Sequence, residues 1–485
     1  MDLDVDACYR AFRTRDARFD GRLYSGCRTT GIFCRPICPV RTPRRENMVF
    51  FPSAAAAQAA GFRPCLRCRP EVAPGVAAWR GTSNTVARAL SLIEGGALDE
   101  VGVDGLAERV GVGERQLRRL FGEHLGASPL AVAQTRRVLL AVQLLRETDL
   151  SIANVALAAG FGSIRRFNEV FARVFRRAPG SLRHGRGSVG PAASSSNLVI
   201  RLPYRPPYDW PAIATFLQAR AIPGIESVSA RRYARTIEID GVHGVVAVEP
   251  ANGHAFQVAI RFPRLRALPI IIERVRRVFD LAADPEGIDS HLAEDPALAP
   301  LVALRPGLRV PGAWDSFELA VRAVLGQQIT VRGAVTLAGQ LVQRYGEPLS
   351  GKESGETLLT HVFPRPERIA SADLTQIGLP RARARALSAI AAALAEDPHV
   401  LDGGRSLDEC VRRLMRLPGI GEWTAQYIAM RELREPDAFP VGDIGLRRAF
   451  AHLDGRVATS RDMLNRAERW RPWRAYAAQH LWSSR

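Results

Sequence analysis

The spacing of apolar residues divides the chain into segments of different character. In residues 80–184 apolar side chains recur three and four positions apart, as in LAVAQTRRVLLAVQLLRE, and this spacing predicts helices. Between residues 198 and 284 the segments RRYARTIEIDGVHGVVAVEP and HAFQVAIRFP alternate apolar and polar residues, which predicts antiparallel strands. Helical spacing returns in residues 285–485, whereas residues 1–78 hold only short elements and turns.

A chain of 485 residues is too long for one ordinary core, so these patterns predict a multidomain α+β protein. We expect a small cysteine-rich domain, an all-α domain, an α+β subdomain and a second helical domain, over residues 1–78, 80–184, 198–284 and 285–485. The segment HGRGSVGPAASSSN is rich in Gly and Ser, and we expect residues 185–197 to be a flexible linker.

Positive charge is concentrated in the first part of the chain. Residues 1–190 contain 29 basic and 17 acidic residues, and the whole chain carries a net charge of +18. Such a basic segment is typical of nucleic-acid binding, although a general preference for arginine would also produce it. There is no apolar run long enough for a transmembrane helix, and the acidic N-terminus lacks the apolar stretch of a signal peptide. We therefore expect a cytoplasmic protein without membrane contacts.

Four of the seven cysteines form two close pairs. Three residues separate Cys34 from Cys38, two separate Cys65 from Cys68, and 26 lie between the pairs. Four thiolates from two short knuckles suit a tetrahedral Zn²⁺ ion. The spacing alone leaves two interpretations open: a structural zinc knuckle, or a metal-activated thiolate that accepts an electrophilic methyl group. In the second, alkylation of one sulfur would also remove a negative charge, weaken repulsion from DNA phosphates and so act as a switch.

The stretch TTGIFCRPIC…REN…GFRPCLRCRP resembles the N-terminal domain of the Ada adaptive-response family, over residues 4–75. That family repairs methyl phosphotriesters in DNA by irreversible transfer of the methyl group to a zinc-bound cysteine. The resemblance implies one Zn²⁺ ion and makes Cys34 the methyl acceptor. The remaining ligands would be Cys38, Cys65 and Cys68, and the implied contacts to the DNA backbone are Thr30, Arg41 and Arg63. The P-C-H-R motif of the family's O6-methylguanine transferase domain is absent, so we do not expect that activity.

Two segments, VDGLAERVGVGERQLRRLFGEHLGASP and SIANVALAAGFGSIRRFNEVFARVFRRAPGSLR, each predict a helix, a glycine turn and a second helix with an apolar inner stripe. One such pair could be mere packing, but two copies with polar outer faces favour helix-turn-helix DNA binding. The expected DNA contacts are Arg115, Gln116, Arg165 and Arg166. The second copy also resembles the AraC signature, which the Ada family carries in the same place. We expect alkylated and promoter double-stranded DNA and RNA polymerase as partners, and a monomer.

The segment LMRLPGIGEWTAQYIAM, Leu414–Met430, places L-P-G-I-G between two predicted helices, which indicates a helix-hairpin-helix. Glycines such as Gly419 and Gly421 let backbone N–H groups approach a DNA phosphate. Asp443 follows in a Pro/Gly loop before a helix, where a carboxylate is either an N-cap or a catalytic group. Aromatic residues that could stack on a base outside the duplex, or equally belong to the core, are Trp423, Tyr427 and Trp482.

Residues 198–482 resemble the AlkA-type 3-methyladenine DNA glycosylases of the helix-hairpin-helix superfamily, through PPYDW, RPGLRVPGAWDSFELAVRAVLGQQIT, LPGIGEWTAQY and WRPWRAYAAQHLW. The resemblance implies that Asp443 is the catalytic carboxylate and that Gln328 is the wedge that fills the space of a flipped nucleotide. The implied base pocket consists of Phe216, Trp423, Tyr427 and Trp482. Strand-nicking relatives place a lysine at the position of Trp423, and the single lysine here is Lys352 in a Gly/Ser loop, so we expect a monofunctional enzyme.

Together these patterns predict a fused alkylation-response protein. A zinc methyl-acceptor domain and a double helix-turn-helix regulator precede an α+β subdomain with an all-α helix-hairpin-helix glycosylase domain. The alternative is a repair glycosylase only, in which the zinc and helix-turn-helix modules increase DNA affinity. A regulator with a decayed glycosylase half is disfavoured, because Asp443, the hairpin and the aromatic residues are all present.

Overall fold

The computed structural model describes residues 3–74, 84–183, 198–349, 358–402, 406–454 and 458–484. The predicted linker 185–197 and Lys352 lie outside the described residues. The chain forms two compact units, Met1–Tyr204 with Ala255–Glu273 and Arg205–His254 with Arg274–Arg485. The five-part division predicted from the sequence is finer than these two units, and its boundaries remain predictions.

Residues 3–74 fold into short elements: α1 (Val5–Arg13), β1 (Tyr24–Cys27), β2 (Ile32–Cys34), β3 (Met48–Phe51), α2 (Ala54–Ala59) and β4 (Arg63–Pro64). β1 pairs antiparallel with β2 and β3, and β2 pairs in parallel with β4. Gly31, with a φ of +64°, allows the tight turn between β1 and β2. Phe33 lies opposite Pro64 in the parallel pair. Cys34 follows Phe33 and Cys65 follows Pro64, so the two cysteines lie side by side.

Residues 84–183 are helical, as the spacing predicts: α3 (Asn84–Gly95), α4 (Ala97–Glu100), α5 (Val103–Arg109), α6 (Glu114–Leu125), α7 (Pro129–Glu147), α8 (Ile152–Ala158) and α9 (Ile164–Phe175). The pairs α5–α6 and α8–α9 are the two predicted helix-turn-helix units, and α7 joins them. The inner stripe of α6 is confirmed, because Leu117 and Phe121 are fully buried. Gly160 has a φ of +87°, and a Cβ there would lie 2.2 Å from Oδ2 of Asp99, so this turn requires glycine.

Within the first unit, the C-terminal end of α7 binds the segment that carries the second cysteine pair. Arg146 donates from Nη2 to the backbone carbonyl of Leu66 at 3.0 Å. Glu147 accepts a hydrogen bond from Nη2 of Arg69 at 2.6 Å. These charge-assisted contacts attach the cysteine-rich segment to the helical one.

Residues 198–284 contain the predicted strands together with two helices: β5 (Leu198–Pro203), α10 (Trp210–Gln218), β6 (Glu226–Val228), β7 (Tyr233–Ile239), β8 (Val242–Ala251), β9 (Ala255–Arg261) and α11 (Leu268–Val278). In the first unit β5 pairs antiparallel with β9. In the second unit β6, β7 and β8 form an antiparallel meander in which Tyr233 lies opposite Val248. The β7–β8 hairpin closes at Asp240 and Gly241, whose φ values of +49° and +76° suit a two-residue turn.

The remaining elements are α12 (Pro285–Leu292), α13 (Ala299–Leu304), α14 (Ser316–Leu325), α15 (Val331–Tyr345), β10 (Glu347–Pro348), β11 (His361–Val362), α16 (Pro366–Ala370), α17 (Arg381–Glu396), α18 (Leu407–Leu414), α19 (Glu422–Arg431), α20 (Ile444–Asp454), α21 (Ser460–Ala467) and α22 (Arg474–Ser483). This part is helical, as predicted, except for the short antiparallel pair β10–β11. Its core lies between α14, α17 and α19, where Val324, Leu387 and Ile428 are fully buried. No helix in the described part of the chain has the length and apolar content needed to cross a membrane.

Candidate functional site

The four predicted metal ligands lie together. The Sγ atoms of Cys34, Cys38, Cys65 and Cys68 are all within 4.8 Å of one another. In a tetrahedral site with Zn–S bonds of about 2.3 Å the sulfurs would be about 3.8 Å apart, so this cluster accommodates one Zn²⁺ ion. The strand pair β2–β4 positions the first cysteine of each pair, and the turn after each strand brings in the second.

The crowding of these thiols favours a bound cation. Hydrogen bonding with the Cys38 thiol raises the pKa of Cys34, and the same contact lowers the pKa of Cys38 to about 7. One thiol therefore keeps its proton while its neighbour ionises. A divalent cation among the sulfurs removes this competition, because all four can then be thiolates. The donor set thus fits zinc.

Cys34 differs from the other ligands in its accessibility. It is only partly buried, whereas the three other ligands are at most 7% exposed. The backbone N–H of Arg35 lies 3.4 Å from the sulfur of Cys68, and that of Arg67 lies 3.4 Å from the sulfur of Cys65. Hydrogen-bond donation withdraws charge from a thiolate and weakens it as a nucleophile. Cys34 is therefore the most exposed residue of the four, and neither of these two backbone N–H groups donates to its sulfur.

The predicted contacts to the DNA backbone lie in loops and strands near this cluster. Thr30 occupies the exposed turn between β1 and β2, and Arg63 lies beside Ile32 in the β2–β4 pair. Arg41 is exposed in the loop before β3. Among the residues that the structure describes, Arg41 and Arg63 form no ion pair, so both charges are available to a phosphate. Their part in DNA binding remains a prediction.

The second helix of each helix-turn-helix unit presents its predicted polar residues to solvent. The exposed residues are Arg115, Gln116, Arg165 and Arg166. Arg165 forms an exposed ion pair with Glu169 of its own helix at 2.9 Å. Pairs of this kind are worth about 0.3–0.5 kcal/mol, so they yield readily to a phosphate. Ser163 caps α9, because its Oγ accepts a hydrogen bond from the backbone N–H of Arg166 at 3.1 Å.

The helix-hairpin-helix consists of α18, α19 and the turn between them, as predicted. Gly419 has a φ of +80°, and a Cβ there would lie 2.3 Å from Cβ of Ala386, so this position requires glycine. Gly421 is the N-cap of α19, and a Cβ there would meet nothing within 4 Å. The turn therefore depends sterically on Gly419 and not on Gly421.

Asp443 immediately precedes α20 and accepts three hydrogen bonds. The backbone N–H of Leu446 donates to Oδ1 at 2.9 Å, so Asp443 is an N-cap. The indole Nε1 of Trp482 donates to the same oxygen at 2.8 Å, and Nε1 of Trp423 donates to Oδ2 at 3.1 Å. The side chain thus caps a helix and at the same time faces the predicted aromatic residues. The two interpretations that the sequence left open are compatible.

The predicted base-pocket residues gather beside Asp443; they are Phe216, Trp423, Tyr427 and Trp482. The rings of Trp423 and Tyr427 stack with centroids 5.4 Å apart and an angle of 15° between their planes. All four residues are partly exposed, and Tyr427 also packs against the helical core of this part of the chain. An open aromatic wall next to a carboxylate is the arrangement that a flipped base requires. The assignment as a base pocket remains a prediction.

Arg431 is a site residue that the sequence did not reveal. Its guanidinium carbon lies 4.3 Å from the ring centre of Phe216. It lies 5.2 Å from the ring centre of Tyr427 and 5.6 Å from that of Trp482. Arg220 covers Phe216 as well, at 3.9 Å, so two cations share this ring. The available sequence signal is a charged residue on the inner face of α19, four positions after Tyr427.

Gln328, the predicted wedge, lies exposed in the turn after α14 with a φ of +58°. Positive φ is uncommon for a residue with a side chain, so the turn is held by its surroundings. The adjacent Gln327 donates from Nε2 to the carbonyl of Gly419 at 2.9 Å and to Oγ1 of Thr424 at 3.0 Å. The wedge turn is thereby fixed to the helix-hairpin-helix. Its role as a wedge remains a prediction.

Gly445 is a second residue that the sequence did not reveal. A Cβ there would lie 2.6 Å from Oδ1 of Asp443 and 3.0 Å from Cδ1 of Trp482. A Cβ added at Gly442, which directly precedes the aspartate, would lie 3.8 Å from Cβ of Trp423, an ordinary van der Waals contact. Close approach of Trp482 to Asp443 therefore requires glycine at position 445, whereas position 442 has room for a Cβ.

Comparison with known proteins gives a family for each part of the chain. Residues 7–71 match the metal binding domain of Ada, and residues 106–185 match a helix-turn-helix domain. Residues 199–315 match the AlkA N-terminal domain, and residues 321–475 match the HhH-GPD superfamily base excision DNA repair protein. The fold and its sites define a zinc-binding, helix-turn-helix DNA-binding protein joined to a helix-hairpin-helix base-excision domain.

The chain is 43% identical to the probable bifunctional transcriptional activator/DNA repair enzyme AlkA of Mycobacterium tuberculosis, over 100% of this chain and 97% of that protein. It therefore belongs to the family of bifunctional transcriptional activator/DNA repair enzymes that this relative represents. It is also 35% identical to DNA-3-methyladenine glycosylase 2 of Escherichia coli, over 58% of this chain and 95% of that one. The 3-methyladenine DNA-glycosylase from Archaeoglobus fulgidus shares the fold, with a TM-score of 0.52, 24% identity and coverage of 58% and 96% of the two chains.

Proposed function

We propose that the protein acts on alkylated DNA in two ways. Its zinc-binding domain accepts a methyl group from a methyl phosphotriester onto Cys34, and its helix-hairpin-helix domain excises bases of the 3-methyladenine type. The methylated protein then binds promoter DNA through its helix-turn-helix units and recruits RNA polymerase. The accessibility of Cys34 among buried ligands supports the first activity, and the position of Asp443 among aromatic rings supports the second.

Methyl transfer is a substitution at carbon. A bond forms between Sγ of Cys34 and the methyl carbon while the bond from that carbon to the phosphotriester oxygen breaks. The electron pair stays on the oxygen, which restores an ordinary phosphodiester. When bound, Zn²⁺ keeps the four sulfurs deprotonated at neutral pH. Loss of a negative charge at Cys34 then reduces repulsion of the phosphates that Arg41 and Arg63 contact, and DNA binding strengthens.

Base excision requires an extrahelical base and a stabilised sugar cation. The flipped base lies against the exposed aromatic faces, and Gln328 fills the space that it leaves. As the C1′–N bond breaks, its electron pair stays with the base and the sugar acquires positive charge, which the carboxylate of Asp443 stabilises. Water then bonds to C1′ and releases its proton to Asp443 or to solvent. The products are the free base and an abasic site.

The excision proceeds by hydrolysis without strand cleavage. A covalent Schiff base with the sugar would need a free amine. Trp423 occupies the position where strand-nicking relatives place lysine, and its indole donates to Asp443 instead. Borohydride treatment of the protein on alkylated DNA should therefore trap no covalent complex, and a trapped complex would show that this part of the proposal is wrong.

The alternative function is excision alone, with the front domains serving as DNA-affinity modules. Arg41 and Arg63 support either function, because phosphate contacts raise affinity in both. A reporter induced by a methylating agent separates them when Cys34→Ala is compared with Cys27→Ala, a control in β1 outside the sulfur cluster. We expect Cys34→Ala to lose induction and Cys27→Ala to keep it. Unchanged induction in Cys34→Ala would leave only the alternative.

A further inference from the structure

The turn that carries Gln328 has an unfavourable backbone conformation. It runs from Gly326, the C-cap of α14, to Thr330, the N-cap of α15. Gln328 is exposed at its centre with a φ of +58°, in the left-handed region that residues with a side chain rarely adopt. A conformation of this kind persists only where the surrounding structure holds it. Contacts from outside the turn must therefore stabilise it.

Arg383 provides one of these contacts. It lies in the first turn of α17 and donates from Nη2 to the backbone carbonyl of Gln327 at 2.7 Å. This carbonyl belongs to the planar peptide group that joins Gln327 to Gln328, so its orientation restricts the φ of Gln328. In the described part of the chain no carboxylate pairs with Arg383, and a hydrogen bond from a cation is stronger than one between neutral groups. The guanidinium therefore fixes the backbone directly before the strained residue.

The side chain of Gln327 is held from a second direction. Its Nε2 donates to the carbonyl of Gly419 in the hairpin turn at 2.9 Å and to Oγ1 of Thr424 in α19 at 3.0 Å. Helix α17 packs on the same hairpin, because a Cβ added at Gly419 would lie 2.3 Å from Cβ of Ala386. The turn, α17 and the hairpin thus each contact the other two. Gln328 is thereby placed relative to the hairpin before DNA binds, and such preorganisation removes the entropic cost of ordering a loop during binding.

We propose that Arg383 and Gln327 are positioning residues for base flipping. They hold Gln328 in the conformation from which its side chain enters the duplex, while the hairpin to which they are attached binds a phosphate of the same DNA. The inference rests on the proposed excision function and assigns residues to its first step. Neither residue touches the base or the sugar, so cleavage of the C1′–N bond beside Asp443 does not depend on them once the base has left the stack.

The energy needed to extrude a base depends on how the base is paired. A paired base must lose its hydrogen bonds as well as its stacking, whereas a mismatched base is extruded at a lower cost. A defect in the position of Gln328 therefore slows release from a paired site and has little effect at a mismatched one. Loss of general DNA affinity, or of the catalytic carboxylate, slows release from both sites alike.

Two variants weaken the turn without removing Gln328. Arg383→Met keeps much of the side-chain length but loses the donor, and Gln327→Met loses the bonds to the hairpin. Arg385→Met is the matched control, because Arg385 is exposed on the same helix and its side chain has no hydrogen bond or ion pair among the described residues. Single-turnover release of 7-methylguanine is measured with each full-length, zinc-loaded protein at saturating concentration, on duplexes that place this base opposite cytosine or opposite adenine. Thermal unfolding identifies a variant that fails to fold, and Gln327→Met carries the test if Arg383→Met does so.

We expect release opposite cytosine to fall about ten-fold in Arg383→Met and in Gln327→Met, and release opposite adenine to fall less than about two-fold. In Arg385→Met the ratio of the two rates should equal that of the wild type. An equal loss on both duplexes would indicate a general structural role and overturn the inference. Unchanged release from both, or the same change of ratio in Arg385→Met, would overturn it too. If the wild-type protein released the base from neither duplex, the proposed excision function itself would be contradicted.

Discussion

The indole Nε1 of Trp482 donates a 2.8 Å hydrogen bond to Oδ1 of Asp443, although the two residues are 39 positions apart. The bond fixes the direction of the carboxylate relative to the aromatic wall. The indole Nε1 of Trp423, which precedes Asp443 by 20 positions in the chain, donates a hydrogen bond to the other carboxylate oxygen. In the proposed excision, these two indoles define where the sugar cation must lie.

Loss of one indole donor should slow base release. Trp482→Phe keeps an aromatic face but removes the N–H group that orients Asp443. A hydrogen bond to a charged group is worth about 1.5–3 kcal/mol, so we expect single-turnover release of 3-methyladenine to fall about ten- to a hundred-fold. The same change at Trp473, which packs on Tyr476, is the control and should alter the rate less than about three-fold. Equal rates for Trp482→Phe and the wild type would contradict the assigned role.

Substitution by alanine should reduce activity at Gly445 but not at Gly442, the two glycines on either side of Asp443. In Gly445→Ala the new Cβ would lie 2.6 Å from Oδ1, so the carboxylate or Trp482 must move. A misplacement of about 1 Å at a reacting group costs up to about a hundred-fold in rate, and we expect a loss of at least about ten-fold. Gly442→Ala meets only ordinary contact and should retain activity. Similar release rates for the two variants would show that the close approach of Trp482 is unimportant.

Local patterns predicted the cysteine ligands and the helix-turn-helix units well, because their signals lie within short stretches. The spacing of Cys34 and Cys38 identifies a metal knuckle without knowledge of the fold. What brings the two cysteine pairs together is the parallel register of β2 and β4, which no local pattern contains. The choice of Cys34 came from family resemblance, and the structure adds that Cys34 is the most exposed residue of the four ligands.

The missed residues act through contacts that are distant in sequence. Gly445 matters because of Trp482, and Arg431 matters because its guanidinium meets rings from three different helices. Only the contact of Arg431 with Tyr427, four positions earlier on α19, has a helical period, and the contacts with Phe216 and Trp482 have no local signature. Gly421 shows the converse, since its motif suggests a steric need for glycine that the structure does not have.

Removal of the buried charge of Glu71, which pairs the cysteine-rich residues 3–74 with Arg146 of α7, should destabilise the first unit. Glu71 has a side chain that is 1% exposed and pairs with Arg69 at 3.0 Å and with Arg146 at 3.4 Å. Glu71→Gln leaves Arg146 facing a neutral amide, whereas Arg69 keeps its ion pair with Glu147, and breaking such a buried pair costs about 3 kcal/mol. Denaturant unfolding of the zinc-loaded protein should show this loss in the transition of the first unit.

The matched control for this change is Glu46→Gln, which alters an exposed residue before β3. Its effect should lie within about 0.5 kcal/mol of zero. If Glu71→Gln were as stable as Glu46→Gln, the ion pairs would not hold the cysteine-rich segment on α7.

The second unit should lose stability in mild acid because of His480. This residue is 2% exposed, and burial lowers its pKa from 6.5 to about 4. The unfolded chain binds a proton below about pH 6.5 and the folded chain does not until about pH 4, so stability is lost as the pH falls through that window. Between pH 7.5 and pH 5 we expect a loss of about 2 kcal/mol from this group.

Comparison with His480→Gln isolates that contribution. The variant has no titrating group at this position, so its unfolding free energy relative to the wild type should rise by about 2 kcal/mol from pH 7.5 to pH 5. Asp289 acts in the opposite direction, because burial raises its pKa to about 6, but it is present in both proteins and cancels. A difference that is constant with pH would mean that His480 is protonated alike in the folded and unfolded states.

We propose that one chain both accepts methyl groups at Cys34 and releases alkylated bases. Mass spectrometry of a single reaction between the zinc-loaded protein and methylated duplex DNA tests both parts together. We expect one added methyl group on the peptide that contains Cys34, and free 3-methyladenine in the filtrate. An unmodified Cys34 peptide, a methyl group on another cysteine, or a filtrate without free base would contradict it.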